Sequence, residues 1–459
     1  MNAARAATSV AMIATLLSAC SGEPARPNVA LIVLDTTRPD RLSLYGYPRP
    51  TSPSLDALAA ESTVYDQAYS TSAWTPPAHA SLLTGLYPHT HGVTQSAWHL
   101  PLSQVTLAER LWDAGYETIG IVGNPMVGQA FGWSQGFEQY HETWRETAGA
   151  DAVHPAIAQF RQFLDQPRAR PFFAFFNFNE PHSPYSPPDE PRAAWLDDRT
   201  PARATNDWRR HFTGARPLSE TAREQLGDLY DAEVQYADQL VAEVTQALSQ
   251  RGLLDDTVLV ITSDHGENLG EHGMVDHVFS LYETTVRVPL LVRYPPRFPA
   301  GERVASPVQL VDVYATLSAL AGVETPGGQG IDLLLAKEQR ERPVLLRYAY
   351  PQQALGTLGP DGESHPALAP YRHGLWAIRE GDRKLILSDD GTMQLFDLAT
   401  DPNETTDLSE REPARRDHLR AQITRLLIAP ERGTSERSAP TVEVDEATLE
   451  ELRALGYAQ

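Results

Sequence analysis

Cysteine is almost missing from this chain: 459 residues contain one, Cys20. A single thiol allows no internal disulfide and leaves no second cysteine for a thiolate metal site or thiol catalysis. Positive charge is short as well. Lys and Arg number 38 against 60 Asp and Glu, a formal net charge of −22 at pH 7. That balance argues against nucleic acid, or an anionic membrane surface read by charge, as a partner. It leaves an anionic substrate open, because a bound metal can invert the field locally. Long apolar runs are also lacking. Val10 to Leu17 is the longest near the start, too short to span a bilayer as a helix. There is no internal repeat and no low-complexity tract.

The first twenty residues hold one positive residue, Arg5, then the apolar stretch, then Leu17-Ser18-Ala19-Cys20. This is the outline of an export signal. Leu-Ser-Ala-Cys resembles the bacterial lipobox, which implies lipidation at Cys20; the plainer alternative is secretory cleavage with Cys20 incidental. The expectation is an exported bacterial lipoprotein, anchored to a membrane in the periplasm or at the cell surface. Residues 1–20 are then the signal peptide and 21–27 a linker.

Further on, apolar strands alternate with helical patterns. Asn28 to Asp35, Tyr116 to Gly123, Pro171 to Asn179 and Thr257 to Asp264 read as strands buried on both faces. Thr51 to Ser62, Leu107 to Ala114, Pro155 to Leu164, Leu218 to Arg251 and Pro307 to Ala321 read as helices. Such alternation predicts a large, mostly parallel sheet covered by helices in an α/β chain. Residues 183–217 are rich in Pro, Arg and Asp and read as a long surface excursion. From about Glu338 the pattern changes. Residues 353–369 read as a loop, and Gly374 to Ile378, Lys384 to Leu387 and Met393 to Asp397 as an antiparallel meander. Helices follow at Glu412 to Leu427 and Glu446 to Leu455, with a polar linker between. The expected division is 28–337 for a main domain, 338–428 for a subdomain with a small antiparallel sheet, and 429–459 for a linker and terminal helix.

The most informative stretch is Trp74 to Gly92, WTPPAHASLLTGLYPHTHG. Thr75 precedes Pro76 and Pro77, which a helix accepts in its first turn, and Gly85 suits a C-cap. Thr75 is therefore expected at the mouth of a short helix, where free N–H groups and the dipole favour an anion. His79 lies one turn down the same face. Thr75 reads either as a nucleophile beside an imidazole or as a simple N-cap.

In open α/β sheets ligands bind beyond the carboxyl ends of the strands. Asp35, Asn124, His182, Asp264 and His265 all fall there. Asp, Asp and His suit a divalent ion, Zn²⁺ or Mn²⁺ better than Ca²⁺. A metal touching Thr75 would lower the pKa of its hydroxyl, which threonine needs before it attacks anything. Blander alternatives stand beside these: His182 as a surface residue in a Pro-rich loop, His272 and His277 as exposed, His89 and His91 as packing on a helix end.

The motifs resemble the sulfatase branch of the alkaline-phosphatase superfamily. They are NVALIVLDTTRPDRLSLYGYPRPTSPSLDALA (28–59), TPPAHASLLTGLYPHTHG (75–92), GYETIGIVGN (115–124), EPHSPYSPP (180–188), TSDHGENLGEHG (262–273), HVFSLYETTVRVPLLV (277–292), LFDLATDPNETTDL (395–408) and LRALGY (452–457). The resemblance implies an α/β sandwich with a small C-terminal four-stranded sheet. It implies Asp35, Asp264 and His265 as metal ligands and Thr75 as the nucleophile. It puts His79 where sulfatases have an arginine, Asn124 where a lysine meets the substrate anion, His182 on the sulfate, and His277 where a lysine protonates the leaving group.

The departures bear on chemistry. Threonine cannot be oxidised to formylglycine, so none is expected, and Thr36 replaces an aspartate of the usual pair. Thr75 in this setting is similar to the nucleophile of nucleotide pyrophosphatase/phosphodiesterases and phosphoethanolamine transferases. A second metal finds only Glu180, His182 and His277 as loose candidates. The expectation is a metal-dependent hydrolase of a sulfate or phosphate ester on a glycan, lipid or small molecule. The alternatives are a phosphodiesterase or phospho-head-group transferase of the cell envelope, and a non-catalytic anion-binding lipoprotein.

Overall fold

A computed structural model describes residues 26–146, 153–196, 200–201, 204, 208–214, 218–357, 365–428, 444–455 and 457. Cys20 and the export signal lie outside the described residues, as does the whole linker at 429–442.

Eight strands form the large sheet: β1 (Asn28–Leu34), β2 (Thr63–Tyr65), β3 (Glu117–Val122), β4 (Gln139–Glu142), β5 (Phe172–Phe178), β6 (Thr257–Thr262), β7 (Leu290–Arg293) and β8 (Glu302–Val304). Their order is β8-β2-β7-β6-β1-β5-β3-β4. The run from β6 to β4 is parallel throughout, and β7 is antiparallel to both neighbours. β1 is central, with Val33 beside Asn177 of β5 and Thr262 of β6.

Helices cover both faces. Val29, Leu31 and Val33 of β1 pack on one side with α2 (Thr75–Thr84), α3 (Leu107–Asp113) and α6 (Leu310–Ala321). Ala30, Ile32 and Leu34 pack on the other with α4 (Pro155–Asp165) and α5 (Glu220–Ser249), while α1 (Pro53–Ala59) contributes Leu55. This is why the strands read as unbroken apolar runs: both faces of β1 are dry, and each such Val, Leu or Ile contributes roughly 1.5–3 kcal/mol. The stretch read as helical over 218–251 is a single helix, Glu220–Ser249. Among the described residues, no helix is long and apolar enough to cross a membrane.

A second, antiparallel sheet comprises β9 (Val344–Tyr348), β10 (Leu375–Glu380), β11 (Arg383–Ser388) and β12 (Met393–Asp397), with α7 (Pro413–Ile428) packed on it through Leu419 and Ile423. The terminal helix α8 (Glu446–Ala454) returns to the large domain.

Several boundaries differ from expectation. The helix read from Pro307 starts at Leu310, because Val308–Gln309 pairs as a short strand with Ala68–Tyr69. The 353–369 stretch contains helical turns at Gln352–Gly356 and Pro366–Tyr371, and the 183–217 excursion contains them at Asp189–Trp195 and Trp208–Phe212. At α2 the N-cap is Trp74, so Thr75 is the first helical residue and its side chain makes no capping hydrogen bond. Two prolines are tolerated in the first turn, which shifts the start by one.

Candidate active site

Every residue of α2 is buried, an apolar environment that leaves the Thr75 hydroxyl few choices. Its Oγ1 lies 3.2 Å from His265 Nε2, the one hydrogen bond its side chain makes among the described residues. The helix ends at Gly85, whose φ of +69° and whose contact with the Tyr314 ring both require the missing side chain. His79 Nδ1 donates back to Thr75 O at 2.9 Å. Its Nε2 is buried without a partner, and burial lowers its pKa despite the Asp35 charge. The imidazole thus holds the backbone of Thr75 rather than its side chain.

The sheet delivers the acids. β1 ends on Asp35, whose Oδ2 accepts from Asn124 Nδ2 at 3.0 Å and from Asn177 Nδ2 at 3.1 Å. β6 ends on Ser263-Asp264-His265. Asp264 Oδ1 accepts from the N–H groups of Thr36 (3.2 Å) and His265 (2.9 Å). Thr36 reaches it with φ +54°, a left-handed conformation that is strained for a β-branched residue. Its hydroxyl donates to Pro181 O at 2.8 Å. His265 Nδ1 donates to Gly266 O at 3.0 Å, so Nε2 keeps the lone pair, which here accepts from Thr75 Oγ1 and which a metal would take instead. Gly266 is obligatory, since a Cβ there would meet Thr284 O at 2.1 Å.

Asp35, Asp264 and His265 each offer a ligand atom within one small volume, all of them buried. Asp35 Oδ1 and Asp264 Oδ2 are buried with no hydrogen-bond donor. Burial, then the charge of Asp35, pushes the Asp264 carboxyl well above its ordinary pKa. Two buried carboxylates with bare oxygens turned to one place are costly without a cation, so the residues fit a divalent metal.

Asn124 has a structural duty. Besides holding Asp35, its Oδ1 accepts from Met126 N at 3.0 Å. His182 and His277 are both buried, and they converge on the site from the excursion and from the strand region after β6. His182 Nδ1 donates to Ser183 O at 2.5 Å. His277 Nδ1 sits 3.0 Å from Asp276 and 3.7 Å from Glu267. Burial disfavours the charged ring, but Asp276, Glu267 and Asp35 outweigh it and lift its pKa to about 9. The expected histidine acid is therefore charged at neutral pH. His91 is buried and bonded to Ser81, whereas His272 is exposed, as the blander reading had it, with its ring stacked on Tyr282. Glu180 pairs with His154 at 2.7 Å and lies apart from the three ligands.

Sequence reasoning missed Asn177, Glu267, Asp276 and Tyr457. The first is an inward residue in the middle of an apolar strand. Glu267 lies within the SDHGEN motif and Asp276 directly precedes His277; the need of a buried histidine acid for a charge partner is the signal that could have found them. Tyr457 closes the LRALGY motif, yet its hydroxyl reaches both His182 and His277.

Fold and site together define a sulfatase-like ester hydrolase. A family model described as Sulfatase matches residues 27–323. The chain belongs to the sulfatase family, which is generally metal-dependent, and its relatives are sulfuric ester hydrolases. It is 25% identical to the N-acetylglucosamine-6-O-sulfatase of Bacteroides thetaiotaomicron, covering 86% of each chain. It is 26% identical to the choline-sulfatase of Rhizobium meliloti, covering 84% of this chain and 83% of that one. Among solved structures, the phosphonate monoester hydrolase of Agrobacterium radiobacter aligns with a TM-score of 0.70 at 22% identity, over 87% of this chain and 95% of that one. A protein solved with its substrate D-glucosamine-2-N,6-O-disulfate aligns with a TM-score of 0.70 at 22% identity, over 89% and 100%.

Proposed function

We propose that this chain is a metal-dependent hydrolase in which Thr75 attacks the sulfur or phosphorus of an anionic ester. One observation carries the reading: Thr75 Oγ1, free of capping duty, lies 3.2 Å from His265 Nε2 beside two donor-less carboxylate oxygens. Asp35, Asp264 and His265 would hold the metal, with Zn²⁺ or Mn²⁺ favoured over Ca²⁺; when bound it would polarise the ester and acidify the Thr75 hydroxyl. His79 holds the Thr75 backbone, and Asn124 and Asn177 hold Asp35. Protonated His277 donates to the leaving oxygen through Nε2, and His182, whose Nε2 keeps the lone pair, accepts a hydrogen bond from that oxygen once it has become a hydroxyl. The hydroxyl proton of Thr75 goes to solvent before attack; the resulting Thr75 ester is then hydrolysed, with His277, now neutral, taking the proton of the attacking water and Thr75 leaving as its alkoxide.

Threonine cannot form formylglycine, and this favours phosphoester or phosphonate chemistry. Overall similarity favours sulfate esters, and the names of several relatives point to sulfated sugars. A transferase of phospho-head groups at the cell envelope shares the first half of the same mechanism. Lipidation at Cys20, with export, belongs to the same proposal.

The test is turnover of aryl sulfate, phosphate monoester, phosphate diester and phosphonate ester, each with Zn²⁺, Mn²⁺ or Ca²⁺. Metal-dependent hydrolysis that disappears in Thr75→Ala is expected. Full activity in Thr75→Ala or in Asp264→Asn would overturn the assignment.

A further inference from the structure

Each of the two imidazoles has one nitrogen left for a substrate. His182 uses Nδ1 on Ser183 O, and His277 turns Nδ1 to Asp276 and Glu267. Both remaining Nε2 atoms meet one oxygen, the Tyr457 hydroxyl, at 3.2 Å for His277 and in a short hydrogen bond for His182. Burial, with the nearby carboxylates of Asp276 and Asp35, keeps the phenol protonated. It therefore accepts from His277 and donates to His182. The ring stands edge-on to Trp74 at 5.5 Å and to Trp98 at 6.1 Å. Trp74 adjoins Thr75 and lies 5.1 Å from the His277 ring. Nothing substrate-derived can reach His182 and His277 together while the phenol is there.

The segment that carries Tyr457 is anchored at few places. α8 buries Thr448 and Leu452, and at its start Arg145 donates to both oxygens of Asp445, at 2.8 and 3.0 Å, and to Thr448; the ion pair lies on the exposed surface, where such pairs contribute little. Beneath the helix lies a cavity of about 560 Å³, lined by His182, Asn179 and Glu233 below and by Glu451, Ala454 and Leu455 above. The helix thus roofs an open space that adjoins the site.

We infer that Tyr457 is an internal competitor: its phenol occupies the position of the substrate's leaving oxygen, and the C-terminal helix must withdraw before an ester binds between His182 and His277. The inference rests on the reading of those two residues as substrate-facing. It does not need Thr75 to turn over. The probe is phenyl phosphate, whose bridging oxygen is the leaving oxygen, titrated by calorimetry into the Mn²⁺-loaded chain in a Thr75→Ala background that does not turn it over, turnover being read separately with Thr75 present. Tyr457→Ala is expected to bind it about tenfold tighter than the parent, with Tyr457→Phe between, because the ring stays but the bridging hydroxyl goes. A synthetic peptide of residues 444–459, added in excess to Tyr457→Ala, is expected to weaken binding again. Unchanged or weaker binding in both variants, with parental circular dichroism, would make Tyr457 a wall of the site and overturn the inference. Absence of turnover with tighter binding in Tyr457→Ala would sink the proposed hydrolysis alone.

Discussion

His277 Nδ1 lies 3.0 Å from Asp276 Oδ1, and Asp276 reaches it from a left-handed backbone with φ +63°. Glu267 faces the same nitrogen at 3.7 Å. These acids raise the ring's pKa to about 9. A general acid works only while protonated, so the rate on substrates with poor leaving groups should fall as pH rises through about 9. Asp276→Asn removes the nearest charge and should move that limb of the kcat/KM profile down by a unit or more. His277→Ala should cost roughly 10²–10⁴-fold on an alkyl ester and far less on a 4-nitrophenyl ester, whose leaving group needs no proton. Equal losses on both esters would remove the acid role from His277.

Thr75 can be separated from its surroundings by two substitutions. Thr75→Ser keeps the hydroxyl next to His265 and should retain measurable turnover, whereas Thr75→Ala should lose at least about 10³-fold. Both variants should bind Mn²⁺ with near-parental affinity, because Asp35, Asp264 and His265 are untouched. If Thr75→Ala loses only metal affinity, the residue is a ligand and not the nucleophile.

Asn124 and Asn177 both donate to Asp35 Oδ2, at 3.0 and 3.1 Å, and so fix which oxygen remains bare. Residues of this kind behind a ligand typically change metal affinity about 10–100-fold. Asn177→Ala should therefore weaken Mn²⁺ binding by that factor in calorimetry, with activity largely restored at saturating metal. A kcat loss that excess metal does not repair would mean that the amide does something other than orient Asp35.

How much of this was readable follows from where each residue sits. Asp35, Asp264 and His265 end strands that are apolar on both faces, so their position at the ligand-binding edge could be inferred from sequence alone. Asn177 could not, because it lies within the apolar run PFFAFFNFN and its significance depends on register beside Val33. Trp74 as the N-cap was hidden by the Thr-Pro-Pro pattern, which allows either start. β9 was hidden too: Val344–Tyr348 is a short run after a proline, recognisable as a strand only once Leu375–Glu380 pairs with it. Tyr457 lies 180 residues beyond His277, and no local pattern carries a contact of that range.

The small sheet is tied to the elements of the large sheet by Lys384, which is fully buried between Glu283 at 2.9 Å and Glu404 at 2.8 Å. Glu283 belongs to the large domain and also accepts from Tyr69 at 2.9 Å, so the lysine joins two layers. Removing one member of a buried ionic cluster leaves uncompensated charge and typically costs about 3–5 kcal/mol. Lys384→Met keeps the volume and loses the charge, so it should lower the urea midpoint by a corresponding amount. The deficit should depend on pH. Burial already lifts the Glu404 carboxyl to about 7, even with Lys384 beside it. Without the cation its folded pKa rises further above the unfolded value. A raised folded pKa binds protons more tightly in the native state, so the variant's deficit should be smallest at and below about pH 7, where Glu404 is protonated in both proteins, and grow as pH rises above that. Urea unfolding of parent and variant at pH 5, 7 and 8.5 measures this. A deficit that stays constant across that range would mean that the loss comes from packing and not from the two stranded carboxylates.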